Sequence, residues 1–81
     1  MPTVLRHGPY RVYFYSQDLG EPAHVHVDRD DSSAKFWLRP VRLASSRGFS
    51  TVEIGKVSRI VKDHEFELIN AWKRYFGTGR L

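Results

Sequence analysis

The residues best equipped to move protons or hold ions lie together in the first half of this 81-residue chain. His24 and His26 alternate with Val25 and Val27, and Asp28 follows. Along an extended strand every second side chain shares a face, so the two imidazoles and the carboxylate point the same way. Glu21 stands three residues before His24. Three chemistries fit this set. Two imidazole nitrogens with a third ligand can hold a metal ion, here through His24, His26 and Asp28. Two histidines can instead act as acid and base, because imidazole titrates near neutrality and Asp28 can orient one ring. Cleavage of RNA through its own 2′-hydroxyl needs such a pair plus positive charge at the phosphorane. His24, His26 and Lys35 supply that set, with Arg11 as the other cation in reach. The third reading is plain: two histidines and an aspartate form the wet side of a sheet or meet a partner.

Those residues need a sheet to carry them, and the alternation of neighbouring segments predicts one. In Tyr10 to Tyr15, Val12 and Phe14 oppose Arg11, Tyr13 and Tyr15. In the later segment Phe36 and Leu38 oppose Lys35 and Trp37. With the aliphatic set inward, the outer face collects Arg11, Tyr13, Tyr15, His24, His26, Asp28, Lys35 and Trp37. Aromatic and histidine pairs also stabilise sheets across strands with no ligand involved, so packing alone accounts for many such rings.

A basic tract accompanies this face. Lys35, Arg39, Arg42, Arg47, Lys56, Arg59 and Lys62 face a single acid, Glu53, in the same stretch. Most such runs are solvated surfaces. The functional alternative is a phosphate footprint in which Arg39 and Arg42 bind while Tyr13, Tyr15 or Trp37 stack bases. No helix-turn-helix, RNA-recognition signature or zinc finger is present, so sequence-specific readout has no support.

The chain divides near Gly48. Before it, short β-rich runs alternate with turn signals: a strand over residues 3–6, a turn at His7-Gly8-Pro9, a strand over 10–15 and a loop over 16–22. The histidine strand follows, then a hairpin connection over 30–33, a strand over 34–38 ended by Pro40, and a short edge piece over 41–43. Beyond Gly48 the pattern is helical. Ser50 and Glu53 have capping-box spacing, each side chain satisfying the other's backbone N–H. Ile54, Val57, Val61, Leu68, Trp72 and Tyr75 form one stripe, with His64 between its halves. A continuous helix over residues 51–76 would be ~39 Å long at about 1.5 Å per residue. That is more than a small sheet covers, so the helix either bends near His64 or buries its second half against another subunit. A continuous or nearly continuous helix is the expectation. The fold class is therefore α+β: an antiparallel sheet of three to five strands, then a long C-terminal helix on one face. One domain spans residues 1–77, and 78–81 form a short tail.

Composition excludes several classes. There is no cysteine, which removes thiol catalysis, Cys-ligated zinc and a disulfide scaffold and fits a reducing, cytoplasmic setting. No run reaches the ~20 apolar residues of a membrane span, and no signal-peptide stretch opens the chain. Thirteen Lys and Arg against nine Asp and Glu give a net charge of +4, which permits an anionic partner without demanding one. No cofactor is expected.

The opening Met1-Pro2-Thr3-Val4-Leu5-Arg6, the Tyr10-Arg11…Phe14-Tyr15-Ser16 segment, Glu21-Pro22-x-His24-Val25-His26-Val27 and Ala34-Lys35-x-Trp37-Leu38 form a wider pattern. Pro40-Val41, Leu43-Ala44, Gly48-Phe49-Ser50 and Ala71-Trp72…Tyr75-Phe76 continue it. Together they resemble domain-of-unknown-function family 4160, small bacterial proteins, over roughly residues 1–77. The Glu-Pro-x-His-Val-His-Val segment is its most distinctive part. The resemblance brings no assigned catalytic residue. It implies a frequent neighbour, a second small protein encoded alongside, in an arrangement like a toxin–antitoxin pair.

Three functional expectations follow. The first is a toxin-like member of such a pair, cleaving RNA without metal through His24, His26 and Lys35. The second is a non-enzymatic binding or regulatory module contacting a partner protein or nucleic acid through Arg11, Tyr13, Tyr15, Trp37, Arg39 and Arg42. The third is a small metal-binding protein using His24 and His26. A homodimer through the C-terminal helix is also expected.

Overall fold

A computed structural model describes residues 3–15 and 20–77. The first two residues, most of the loop expected over 16–22 and the tail over 78–81 lie outside the described residues. Five strands, β1 (Thr3–His7), β2 (Tyr10–Tyr13), β3 (His24–Arg29), β4 (Ser32–Leu38) and β5 (Val41–Arg47), pair in sequence order as an antiparallel meander. Two helices follow, α1 (Thr51–Asp63) and α2 (Glu65–Phe76). The α+β expectation holds at the upper end of its strand count, with two helices in place of one.

Turn chemistry sets the hairpins. Gly8 takes φ 58° between His7 and Tyr10, which are paired. The β3–β4 connection is shorter than the four residues expected. Asp30, at φ 52°, and Asp31 alone make it, because an aspartate tolerates the left-handed region. Strand β5 is longer than the three residues expected. Arg39 and Pro40 form a two-residue turn, and the polar Ser45–Ser46 stretch continues the ladder to Arg47, with a register shift opposite Lys35 and Phe36. After β5 the chain turns at Gly48, φ 89°. A Cβ there would lie 2.7 Å from Ser32 Oγ, so only glycine fits.

The core lies between the sheet and the helices. Val12, Val25, Val27, Ala34, Phe36 and Leu38 meet Val57, Ile60 and Val61 of α1 and Leu68, Ala71 and Trp72 of α2. Phe14, just past β2, packs its ring 5.5 Å from Trp72 and 5.3 Å from Phe76. Each large side chain buried this completely contributes about 1.5–3 kcal/mol. Tyr75, expected in the buried stripe, is half exposed, and Phe66 stands out from α2 at 81% exposure.

The helix breaks at His64. Its Nδ1 donates to the Ile60 carbonyl at 2.8 Å, and its backbone N–H is shared between Ile60 and Val61 at 3.2 Å each. A side chain competing for an i−4 carbonyl is a recognised cause of helix kinks. The helix resumes at once, with Leu68 N–H donating to the His64 carbonyl at 2.9 Å. A straight ~39 Å rod would outrun the 34 Å longest dimension of the fold, and the break lets both segments lie on the sheet.

The N-cap is only half a capping box. Ser50 Oγ accepts from Glu53 N–H at 3.1 Å. The Glu53 carboxylate turns instead to the sheet, where Arg29 Nε and Nη2 donate at 2.6 and 2.8 Å and the Tyr10 hydroxyl donates at 2.7 Å.

Candidate functional site

The helices cover one face of the sheet, and antiparallel register arranges the other in rows. One row runs across all five strands: Thr3, Tyr13, His26, Lys35 and Ser45. Beside it lie Arg6, Arg11, Asp28, Ser33 and Arg47. On the other side are His24, Trp37 and Arg42. Alternation along each strand thus gathers nearly every expected site residue on the uncovered face.

Their environments differ from the expectation in three respects. Tyr13, expected on the open surface, is only 3% exposed. Its ring is stacked on His26 at 5.4 Å, meets Tyr15 edge-on at 5.4 Å, and lies under the Arg11 guanidinium at 4.3 Å. The Tyr13 hydroxyl donates to Asp28 Oδ2 at 2.9 Å. Burial, then hydrogen bonding with Tyr15 and Asp28, pushes that hydroxyl well above its ordinary value, so it stays a neutral donor.

His24 is fully buried. Its ring is wedged at the end of the sheet between Trp72 of α2, at 5.3 Å, and the outer-face rings of His26 and Trp37, at 5.2 and 5.7 Å. Its Nδ1 donates to the Pro22 carbonyl at 2.8 Å. The two imidazoles of the strand therefore face different surroundings: His24 belongs to the interior, while His26 is partly exposed beside Tyr15 at 4.9 Å.

Lys35 stands opposite His26 but is engaged by Glu21, whose Oε1 accepts from Nζ at 2.6 Å. The same ammonium lies 4.6 Å from the Trp37 ring centroid. Glu21 Oε1 is also 3.8 Å from His24 Nδ1. The Glu21-Pro22-x-His24 segment thus works as a latch: its carboxylate holds Lys35, and its proline carbonyl holds His24. A structural contact explains this segment without any substrate.

Among the described residues, three shallow cavities lie on this face. One, about 470 Å³, includes Tyr13, Asp28, Asp30 and Asp31 in its walls; a second, about 390 Å³, includes His26, Lys35 and Ser45. These two share Tyr15, Ser33 and Arg47. The third, about 300 Å³, lies at the far end, between Pro22, Ala23, Trp37, Arg39 and Arg42. Asp28 Oδ1 is buried with no hydrogen-bond partner among the described residues. No group of three or more His, Asp or Glu side chains among the described residues is placed to hold a metal ion, so Asp28 does not complete a site with His24 and His26.

Ser33 joins the site because β4 begins at Ser32, inside the connection the sequence predicts, and Ser45 and Arg47 join it because β5 runs past the predicted edge piece over 41–43. The basic tract is also divided. Arg39, Arg42 and Arg47 lie on the sheet's turn and edge strand, whereas Lys56, Arg59 and Lys62 are exposed on α1, away from the buried Val57, Ile60 and Val61. No helix among the described residues is long and apolar enough to cross a membrane.

A family model for a domain of unknown function (DUF4160) matches residues 10–73. No curated protein and no solved structure matches the chain.

Proposed function

The chain belongs to the DUF4160 family, and we propose that it is a non-enzymatic binding module whose uncovered sheet face takes single-stranded RNA. The observation that carries this reading is the mixture of rings and cations on the face the helices leave open. Tyr15, His26 and Trp37 are at least partly exposed there, among Arg11, Lys35, Arg39, Arg42 and Arg47. Every base has a π face, so stacking on exposed rings tolerates sequence and contributes about 1–3 kcal/mol per base. The arginines meet phosphates with planar, bidentate donors. With His24 interior and Tyr13 held neutral, this face is better equipped to hold a strand than to cut it.

A second reading keeps one specific support. His26 and Lys35 are cross-strand partners that line the same cavity, which suits metal-independent RNA cleavage by a toxin-like protein of a two-protein pair.

Fluorescence anisotropy of a labelled single-stranded RNA, titrated with protein at low and moderate salt, tests the proposal. The expected result is salt-sensitive binding with intact RNA on a gel afterwards, weakened about 5- to 150-fold by Trp37→Ala. Absence of binding at low salt overturns it. Cleavage abolished by His26→Ala transfers the assignment to the second reading.

A further inference from the structure

The cavity at the Trp37 end differs from the other two on this face. Among the described residues, its walls combine one indole, two arginines and the small apolar surfaces of Pro22 and Ala23, with no carboxylate. The first cavity, by contrast, carries three aspartates. Trp37 and Arg42 are direct cross-strand partners, and Arg39 begins the turn joining their strands. The indole is held from one side by the Lys35 ammonium and along the sheet by His24, so it is a fixed wall. Arg39 and Arg42 are exposed and make no ion pair or hydrogen bond among the described residues. Arg29 and Lys35, by comparison, are bound to Glu53 and Glu21.

We propose that this cavity receives a phosphorylated end of the RNA, a terminal nucleotide whose base lies on Trp37 and whose phosphate sits between Arg39 and Arg42. The inference rests on the RNA reading above and names its anchoring point. A volume of about 300 Å³ suits one nucleotide, at the small end of ligand sites. Charge selects the end over the middle of a strand. A bridging phosphodiester carries one negative charge, whereas a terminal phosphate monoester carries about −1.5 to −2 at neutral pH, with its second proton lost near pH 6. Two guanidiniums with no ion pair among the described residues match the dianion, and their planar forks can each donate two hydrogen bonds to its oxygens.

Three RNA oligonucleotides of one sequence test this: one with a 5′-phosphate, one with a 3′-phosphate and one with hydroxyls at both ends. At pH 7.5 one phosphorylated form is expected to bind about tenfold tighter than the hydroxyl form. The preference should vanish in Arg39→Ala/Arg42→Ala, and it should shrink at pH 5.5, where the phosphate becomes a monoanion. Both arginines are exposed, and circular dichroism of the variant confirms that the fold is kept. Equal binding of all three oligonucleotides overturns the end-binding inference while leaving the RNA reading intact. A preference that survives the double substitution also overturns it. Failure of all three to bind removes both.

Discussion

Arg29 grips Glu53 with two donors, Nε at 2.6 Å and Nη2 at 2.8 Å, and so ties the end of β3 to the first turn of α1. The pairing holds Glu53 below the usual carboxylate range, first through the Arg29 hydrogen bonds and then through that of Tyr10. A depressed folded value means the contribution is present above the ordinary carboxylate pKa and is lost as pH falls through the folded value. Glu53→Gln should therefore lower Tm at pH 7, and the gap from the parent protein should close on acidification. Thermal melts from pH 7 down to about pH 3 check this; a constant gap would mean that the charge is irrelevant. Tyr10→Phe, which removes the second donor, should cost about 1–2 kcal/mol.

The buried Tyr13 hydroxyl makes the opposite prediction at alkaline pH. Its value is raised, chiefly by burial, so the neutral form is favoured in the fold and the stabilisation is complete below pH ~10. It is then lost as pH rises towards the folded value. Tyr13→Phe removes this ionisation but leaves Asp28 Oδ2 without its donor, at a cost of about 1–3 kcal/mol at pH 7. Urea titrations at pH 7 and pH 11 should show the variant losing less stability than the parent between the two. An equal loss would place the alkaline sensitivity elsewhere, with Tyr10 the other raised tyrosine.

Much of this architecture was legible because period-two alternation fixes which side chains share a sheet face. Arg11, Tyr13, His26, Asp28, Lys35 and Trp37 could be placed together on that basis alone. Long-range contacts could not. Nothing in the spacing of Arg29, Tyr10 and Glu53 says that they meet, and the capping-box pattern argued for a local partner that Glu53 abandons. The break at His64 depends on a ring nitrogen reaching a carbonyl one turn back, a contact that a hydrophobic stripe does not encode. Burial of His24 was hidden for a related reason. Strand parity puts it on the outer face, but Trp72, forty-eight residues later in the sequence, closes over the end of the sheet.

That burial separates the two histidines experimentally. His24→Ala removes a fully buried ring packed between Trp37 and Trp72, along with its bond to the Pro22 carbonyl. It should cost about 2–4 kcal/mol, in the range of large core truncations, which is a large share of a small domain's stability. His26→Ala removes a partly exposed ring and should cost under about 1.5 kcal/mol. Chemical denaturation of the two variants checks the ranking. RNA affinity should fall directly in the His26 variant, whereas the folded fraction of the His24 variant should lose affinity only through a loosened Trp37.

The division of the basic tract between two surfaces gives the sharpest test of which face meets an anion. Each phosphate neutralised on a single strand steepens the dependence of log affinity on log salt by about 0.7. With Arg39 and Arg42 on the terminal dianion and Arg47 on one bridging phosphate, about three negative charges are neutralised, so replacing all three with alanine should flatten that slope by about 2 and weaken binding most at low salt. Lys56, Arg59 and Lys62 lie on α1, on the side turned away from its buried residues. Replacing those three with alanine changes net charge by the same amount, yet it should leave the slope within error, because counterions are released only where phosphates lie within about a Debye length, roughly 10 Å at 0.1 M salt. Anisotropy titrations of both triple variants across 50–200 mM salt measure the two slopes directly. A larger effect from the helix set would move the interface to α1 and remove the sheet face from the function.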